Sequence, residues 1–217
     1  MKKTRRVNTA VCANIINKLP TNFEQYRAVT LLFIEGVIGE SSTHKGPLDE
    51  ESGIIQKVLG QLNRLDCLTV DSQPYEQGII EGTFYRSRPF LRFYYPRRKV
   101  NQLLELFMHG NPNILTAIYA PGNKVIMYND MLYTNLADAG GYFPLHQDFI
   151  DGEWVESFNT TFNPNSFGEL FDQLSLTNDV LLRNSKENLV LLNVIGMDFN
   201  NDIFTRLAHA AHALFFA

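Results

Sequence analysis

A chain of 217 residues can bury roughly 70% of its unfolded surface, as one large domain or two small ones. Its 45% hydrophobic and 19% charged residues are those of an ordinary globular protein and exclude a disordered or fibrous one. A formal net charge of -4 argues against a general nucleic-acid binder and leaves room only for a local basic patch.

Met1-Lys2-Lys3-Thr4-Arg5-Arg6 reads as a flexible basic arm (residues 1–6) ahead of one domain spanning residues 7–217. Asn8, Asn14, Asn17 and Lys18 interrupt the apolar residues between Val7 and Leu19, so no signal-peptide core is expected. No run approaches 18 consecutive apolar residues, and no membrane helix is expected. Cys12 and Cys67 lie outside any C-x-x-C or Cys/His cluster. They read as buried thiols of a reducing compartment, neither a disulfide nor zinc ligands. The expected location is therefore cytoplasmic.

Along the chain, residues 8–19 predict a short helix with Val11, Ile15, Ile16 and Leu19 on one side and Pro20 ending it. Residues 23–38 predict a second helix, and Gly46-Pro47 a turn. The clearest pattern is a helix over 49–65. Asp49 would cap it, and Ile54, Ile55, Val58, Leu59, Leu62 and Leu65 form its apolar stripe. Residues 67–70 predict a buried strand leading into a turn, Asp71-Ser72-Gln73-Pro74. Strands are expected over 79–85 and 90–95, the latter bracketed by Pro89 and Pro96. A helix is expected over 100–109, then a hairpin of 114–119 and 124–128 around the turn formers at 120–123. After a long irregular stretch, with turn formers concentrated over 137–165, Ser166-Phe167-Gly168-Glu169 has capping-box spacing and opens a helix to residue 176. Residues 188–195 predict a central strand and 201–216 a closing helix. The economical architecture is α/β (mixed α+β): a single domain with a mixed sheet flanked by helices.

Phe33-Ile34-Glu35-Gly36, Gly46-Pro47-Leu48-Asp49, Leu62-Asn63-Arg64 and Leu68-Thr69-Val70-Asp71-Ser72-Gln73-Pro74 occur in an order that resembles a family of uncharacterised bacterial proteins. That family is common in actinobacteria, with similar sequences in bacteriophages and large DNA viruses. The similarity covers about residues 33–96, and its specific part is Leu-Asn-Arg followed by Thr-x-x-Ser-Gln-Pro. Tyr75 stands where members often carry Gly, and Ser87-Arg88 roughly where they carry Gln-Arg. The resemblance implies an α/β core and a candidate site but no reaction.

Three constellations bear on function. Arg86, Arg88, Arg92, Arg97, Arg98 and Lys99 crowd among Phe90, Phe93, Tyr94 and Tyr95, and arginines beside aromatic faces suit an anionic or nucleotide-like ligand. Asp71, Ser72 and Gln73 at a strand-end turn would complete such a pocket with Arg86 and Arg88. The plainer alternative is a turn whose side chains satisfy its own backbone, beside arginines on a solvated edge.

His146-Gln147-Asp148 has the His-x-Asp spacing of a non-haem iron oxygenase. His209 or His212 would have to supply the third ligand from the last helix, where such sites use a barrel strand, so no metal is expected. The end of the chain, Leu207 to Ala217, stays apolar to its last residue. A Phe-Phe-Ala terminus should dock on its own core or on a partner. No nucleophile elbow, Walker loop or dinucleotide loop occurs, no cofactor is expected, and nothing in the sequence demands catalysis. The leading expectation is recognition of a small anionic ligand at Asp71, Ser72, Gln73, Arg86 and Arg88. The alternative is a non-enzymatic protein self-assembling through aromatic surfaces and its C-terminal helix, as a homo-oligomer.

Overall fold

The computed structural model describes residues 20, 22–41, 46–109, 113–119, 126–128, 143–162 and 189–216. The expected helices over 8–19 and 166–176, the turn at 120–123 and Cys12 lie outside the described residues.

Helix α1 (Phe23–Ile34) starts where the Asn22 side chain accepts a hydrogen bond from the Gln25 N–H. It stops four residues short of the expected end. Gly36 takes φ +70°, and the N–H groups of Gly36 and Val37 bond back to the carbonyls of Phe33 and Leu32, which closes the helix with a left-handed cap.

The predicted helix over 49–65 is split. Residues Glu50–Ile54 form a 3-10 turn to which Asp49 gives no side-chain cap, and α2 runs from Gln56 to Arg64. The break turns Ile54 out of the apolar stripe, to 73% exposure, while Ile55, Leu59 and Leu62 stay buried. Helices α3 (Val100–Met108) and α4 (Asp202–Phe215) fall where the periodicity puts them.

Five strands form the large sheet, in the order β1 (Leu68–Gln73), β4 (Phe90–Pro96), β9 (Leu189–Gly196), β5 (Ile114–Tyr119), β6 (Ile126–Tyr128). The expected hairpin of β5 and β6 is present. One face of this sheet, with Leu91, Phe93, Val190 and Leu192, packs against Phe33 of α1, Leu62 of α2, Leu103 of α3 and Phe204 of α4. The other face, with Leu68, Tyr94, Leu115 and Leu191, packs against Tyr26 and Phe23 of α1 and Leu145. All eight residues of β9 are buried, which explains why its sequence is a near-continuous apolar run without alternation.

The remaining strands form a separate small sheet in the order β2 (Glu76–Ile80), β3 (Thr83–Ser87), β7 (Phe143–Ile150), β8 (Glu153–Phe162). The class is the expected one, helices and strands in one α/β (α+β) architecture. The sheet differs in arrangement: every described pairing is antiparallel, and the strands divide between two sheets.

Two local expectations are corrected. Asp71, Ser72 and Gln73 are not a turn. They continue β1 past a bulge at Val70 and pair with Arg92, Leu91 and Phe90, so the chain leaves the sheet only at Pro74, which has no N–H for the ladder. The expected strand over 79–85 straddles a two-residue hairpin turn, Glu81-Gly82, with φ of +50° and +86°, the mirror-image turn that suits twisted strands. The stretch expected to be irregular contains a second hairpin with the same geometry at Asp151-Gly152, φ +53° and +89°.

Candidate interaction surface

Strands β1 and β2, and β3 and β4, are two halves of one long hairpin that changes sheets at Pro74-Tyr75 and Arg88-Pro89. This change separates the residues expected to form one pocket. Asp71 stays in the large sheet, its Oδ2 accepting from Arg92 Nη1 at 2.7 Å. Ser72 points to the opposite face, as successive strand residues do, and lines a cleft of about 50 Å³ with Thr30, Asp49 and Ser52. That space holds water-sized groups, well short of the roughly 300 Å³ at which small-molecule sites begin. Gln73 reaches across the junction, Nε2 donating to Ser87 Oγ at 3.3 Å. Arg86 and Arg88 do come together, but with each other and not with Asp71 or Ser72.

Their cluster is the joint between the sheets. The Arg86 guanidinium lies between the Trp154 ring (4.2 Å) and the Phe199 ring (3.9 Å), and its Nε and Nη2 both donate to Gln147 Oε1 at 2.8 and 2.6 Å. Arg88 is buried. Its Nη2 donates to Glu156 Oε1 at 2.7 Å, and Gln147 Nε2 donates to the same oxygen at 2.8 Å. Burial lowers the Arg88 pKa, with the Arg86 charge adding to it, against the opposing pull of Glu156. Backbone bonds complete the junction: Arg88 N–H to the Leu145 carbonyl (2.8 Å) and Tyr75 N–H to Asn201 Oδ1 (2.6 Å). Of these partners, Gln147, Glu156, Trp154 and Phe199 were not singled out from sequence as contacts of the arginines. The signal for the first three was Asp151-Gly152, which marks their hairpin.

Beyond the joint, the small sheet carries its apolar residues in the open. The register puts Ile79, Phe84, Phe149 and Trp154 on one face, that of Arg86 and Gln147, and Ile80, Ile150 and Val155 on the other. These seven side chains are between 38% and 60% exposed. Phe149 and Trp154 are in contact, ring centroids 5.3 Å apart. On the second face Tyr85 stacks on His146 and covers Gly78, where an added Cβ would sit 2.9 Å from the Tyr85 ring. The surface is acidic: strands β2, β3, β7 and β8 with their two turns contain Glu76, Glu81, Asp148, Asp151, Glu153 and Glu156 against Arg86 alone.

A second apolar surface lies at the end of α4. A groove of about 360 Å³ is lined by Leu65, Ala208, His212, Phe215 and Phe216, among others. Phe215 and Phe216 stack edge to face but stay 45% and 71% exposed, so the described residues do not complete the docking expected of this apolar segment. His146 and Asp148 lie on β7 and His209 and His212 on α4. Among the described residues, no three His, Cys, Asp or Glu side chains come close enough to share a metal ion. Cys67 is a free thiol, fully buried, with its pKa pushed far up by burial, which silences it as a nucleophile. Among the described residues, no helix is long and apolar enough to cross a membrane.

Compared with known proteins, the chain matches no family model and no curated sequence at a significant level.

Proposed function

We propose that this is a non-enzymatic interaction protein that self-associates through its small sheet, with the groove at the end of α4 as a second contact. One observation carries the reading: Ile79, Phe84, Phe149 and Trp154 stand side by side on one face of the four-stranded sheet, 38% to 60% exposed. Scattered apolar residues are normal on a surface, but a contiguous patch marks an interface. The joint supports it too, because the stacked and bonded Arg86 fixes the sheet to the body and so holds the patch ready-made.

Recognition of a small anionic ligand at Asp71, Ser72, Gln73, Arg86 and Arg88 is the weaker reading. Arg86 is bonded to Gln147 and Arg88 to Glu156, and the cleft beside Ser72, about 50 Å³, has room only for water-sized groups.

Sedimentation velocity over a concentration series tests the proposal. The wild-type chain is expected to associate at micromolar concentration. Ile79→Ser and Phe84→Ser should each weaken association about tenfold, corresponding to about 1.4 kcal/mol of lost apolar burial, without lowering the unfolding midpoint. A wild-type chain that stays monomeric throughout the series refutes it.

A further inference from the structure

The small sheet is both apolar and acidic, and that combination narrows what covers it. Six carboxylates against one guanidinium give it a net charge of -5. The chain contains one stretch of opposite character. Residues 1–19 hold Lys2, Lys3, Arg5, Arg6 and Lys18 with no Asp or Glu, a net +5 within a chain of net -4. The same stretch repeats Val11, Ile15, Ile16 and Leu19 at helical spacing, an apolar stripe to set against Ile79, Phe84, Phe149 and Trp154.

We infer that residues 1–19 of a second copy of this chain dock on the small sheet, the apolar stripe on its apolar face and the lysines and arginines against its acidic border. The inference rests on the reading of the small sheet as an interaction surface and adds the identity of what it binds. The occupant comes from another copy because the contact proposed for this sheet is one between chains. Charge makes the contact selective. Two small sheets repel each other, as do two copies of the basic stretch, whereas the unlike pair attracts and is steered into register. A contact between unlike surfaces is heterologous, and it closes into a dimer when the exchange is mutual.

Two full-length variants test this by charge exchange. One carries Lys2→Glu, Lys3→Glu, Arg5→Glu and Arg6→Glu. The other carries Glu76→Lys, Glu81→Asn, Asp148→Lys and Glu153→Lys, which makes the sheet net positive, asparagine being chosen because it tolerates the positive φ of residue 81. Each variant alone is expected to sediment as a monomer where the wild type associates, because like charges then meet, and an equimolar mixture should associate again. Raising ionic strength from about 0.1 M to about 1 M, which shortens the screening length from about 10 Å to about 3 Å, should weaken the wild-type association on the order of tenfold.

If the reversed stretch leaves association unchanged while Ile79→Ser and Phe84→Ser each weaken it about tenfold, the occupant is wrong and the interaction surface stands. A mixture that stays monomeric also overturns the exchange. If neither the charge variants nor the serine variants alter association, or the wild type is a monomer, both inferences fall.

Discussion

The two sheets share one long hairpin but treat their side chains in opposite ways. In the large sheet, Phe93 and Leu192 are completely buried between helices and strand neighbours, and the chain places apolar residues on both faces because both faces are covered. In the small sheet, residues of the same chemical kind, Phe84 and Ile79, are more than half exposed. Identical propensity therefore has two energetic meanings. Apolar burial holds the first sheet together, while the second leaves its apolar side chains half-exposed. An open antiparallel edge with such faces is an aggregation hazard, and the acidic side chains around it restrain indiscriminate pairing.

The sharpest way to break this comparison is to truncate the same residue type in each sheet. Phe93→Ala should destabilise the fold by about 3–5 kcal/mol through lost transfer energy and a cavity. Phe84→Ala should change it by no more than about 0.5 kcal/mol in urea unfolding at concentrations where the chain is monomeric. Similar losses at the two sites would show that the small sheet is buried in solution.

A second, smaller effect concerns polar groups within the body. Arg27, buried on α1, donates from Nε to the Asn63 carbonyl (2.9 Å) and from Nη1 to Asp66 Oδ1 (2.7 Å). Lys99 holds the other oxygen of Asp66 at 2.9 Å. Arg27→Met should cost about 2 kcal/mol, less than the 3–5 of a fully buried pair broken on one side, since Asp66 keeps Lys99. Burial by itself raises the Asp66 pKa, but the Lys99 hydrogen bond and the charges of Arg27 and Lys99 outweigh it and leave the carboxyl below its usual value. A depressed carboxylate stabilises the fold above its unfolded pKa of about 3.9, and that contribution disappears as pH falls through the lower folded value. Arg27→Met should therefore flatten the acid limb of the stability profile below about pH 4. An acid limb identical to wild type would remove Arg27 from this network.

The joint offers a local effect. Trp154 is the chain's one tryptophan, so its fluorescence reports the small sheet alone, while far-UV circular dichroism reports the whole. Arg86→Ala removes the guanidinium stacked on Trp154 and Phe199 and the fork to Gln147. About 1–2 kcal/mol should be lost from the fluorescence-detected transition, which then precedes the circular-dichroism transition. Coincident transitions would mean that the two sheets unfold as one.

How much of this was legible in the sequence obeys the same division. The strand at 189–196 and helices α3 and α4 were readable because each is dictated by its own apolar period. The helix over 49–65 was readable only in its second half, since a 3-10 turn and an α-helix carry the same residues until Ile54 turns outward. The turn at Asp71-Ser72-Gln73 was misread because polar residues in an edge strand pair through backbone, which is indifferent to side-chain type. The hairpin at 143–162 was missed although Asp151-Gly152 announces it. Its apolar residues do not alternate with polar ones near the turn, since both of its faces carry apolar side chains, and the period of two therefore disappears. The pairing of Arg86 with Phe199 joins residues 113 positions apart, and no local pattern encodes it. The exposed aromatic surfaces of the alternative reading were visible only as composition, 16 Phe and 9 Tyr, until the register placed them.

The smallest expected effect is a pH response confined to the small sheet. His146 stands on β7 opposite Ser87 and stacks on Tyr85 with ring centroids 6.4 Å apart. Burial lowers its pKa, and the charges of Asp148 and Glu76, which pull the other way, do not overcome that. The folded sheet thus prefers the neutral ring, whereas the unfolded chain takes up a proton near about pH 6.5. Stability contributed by the neutral ring is fully present above that pH and declines as pH falls through about 6.5 toward the lower folded value. The Trp154-detected midpoint should accordingly drop between about pH 7 and about pH 5, with little accompanying change in the large sheet. His146→Gln, which cannot titrate, should make it level across that range. A wild-type midpoint that stays level or rises on acidification would remove His146 from this role.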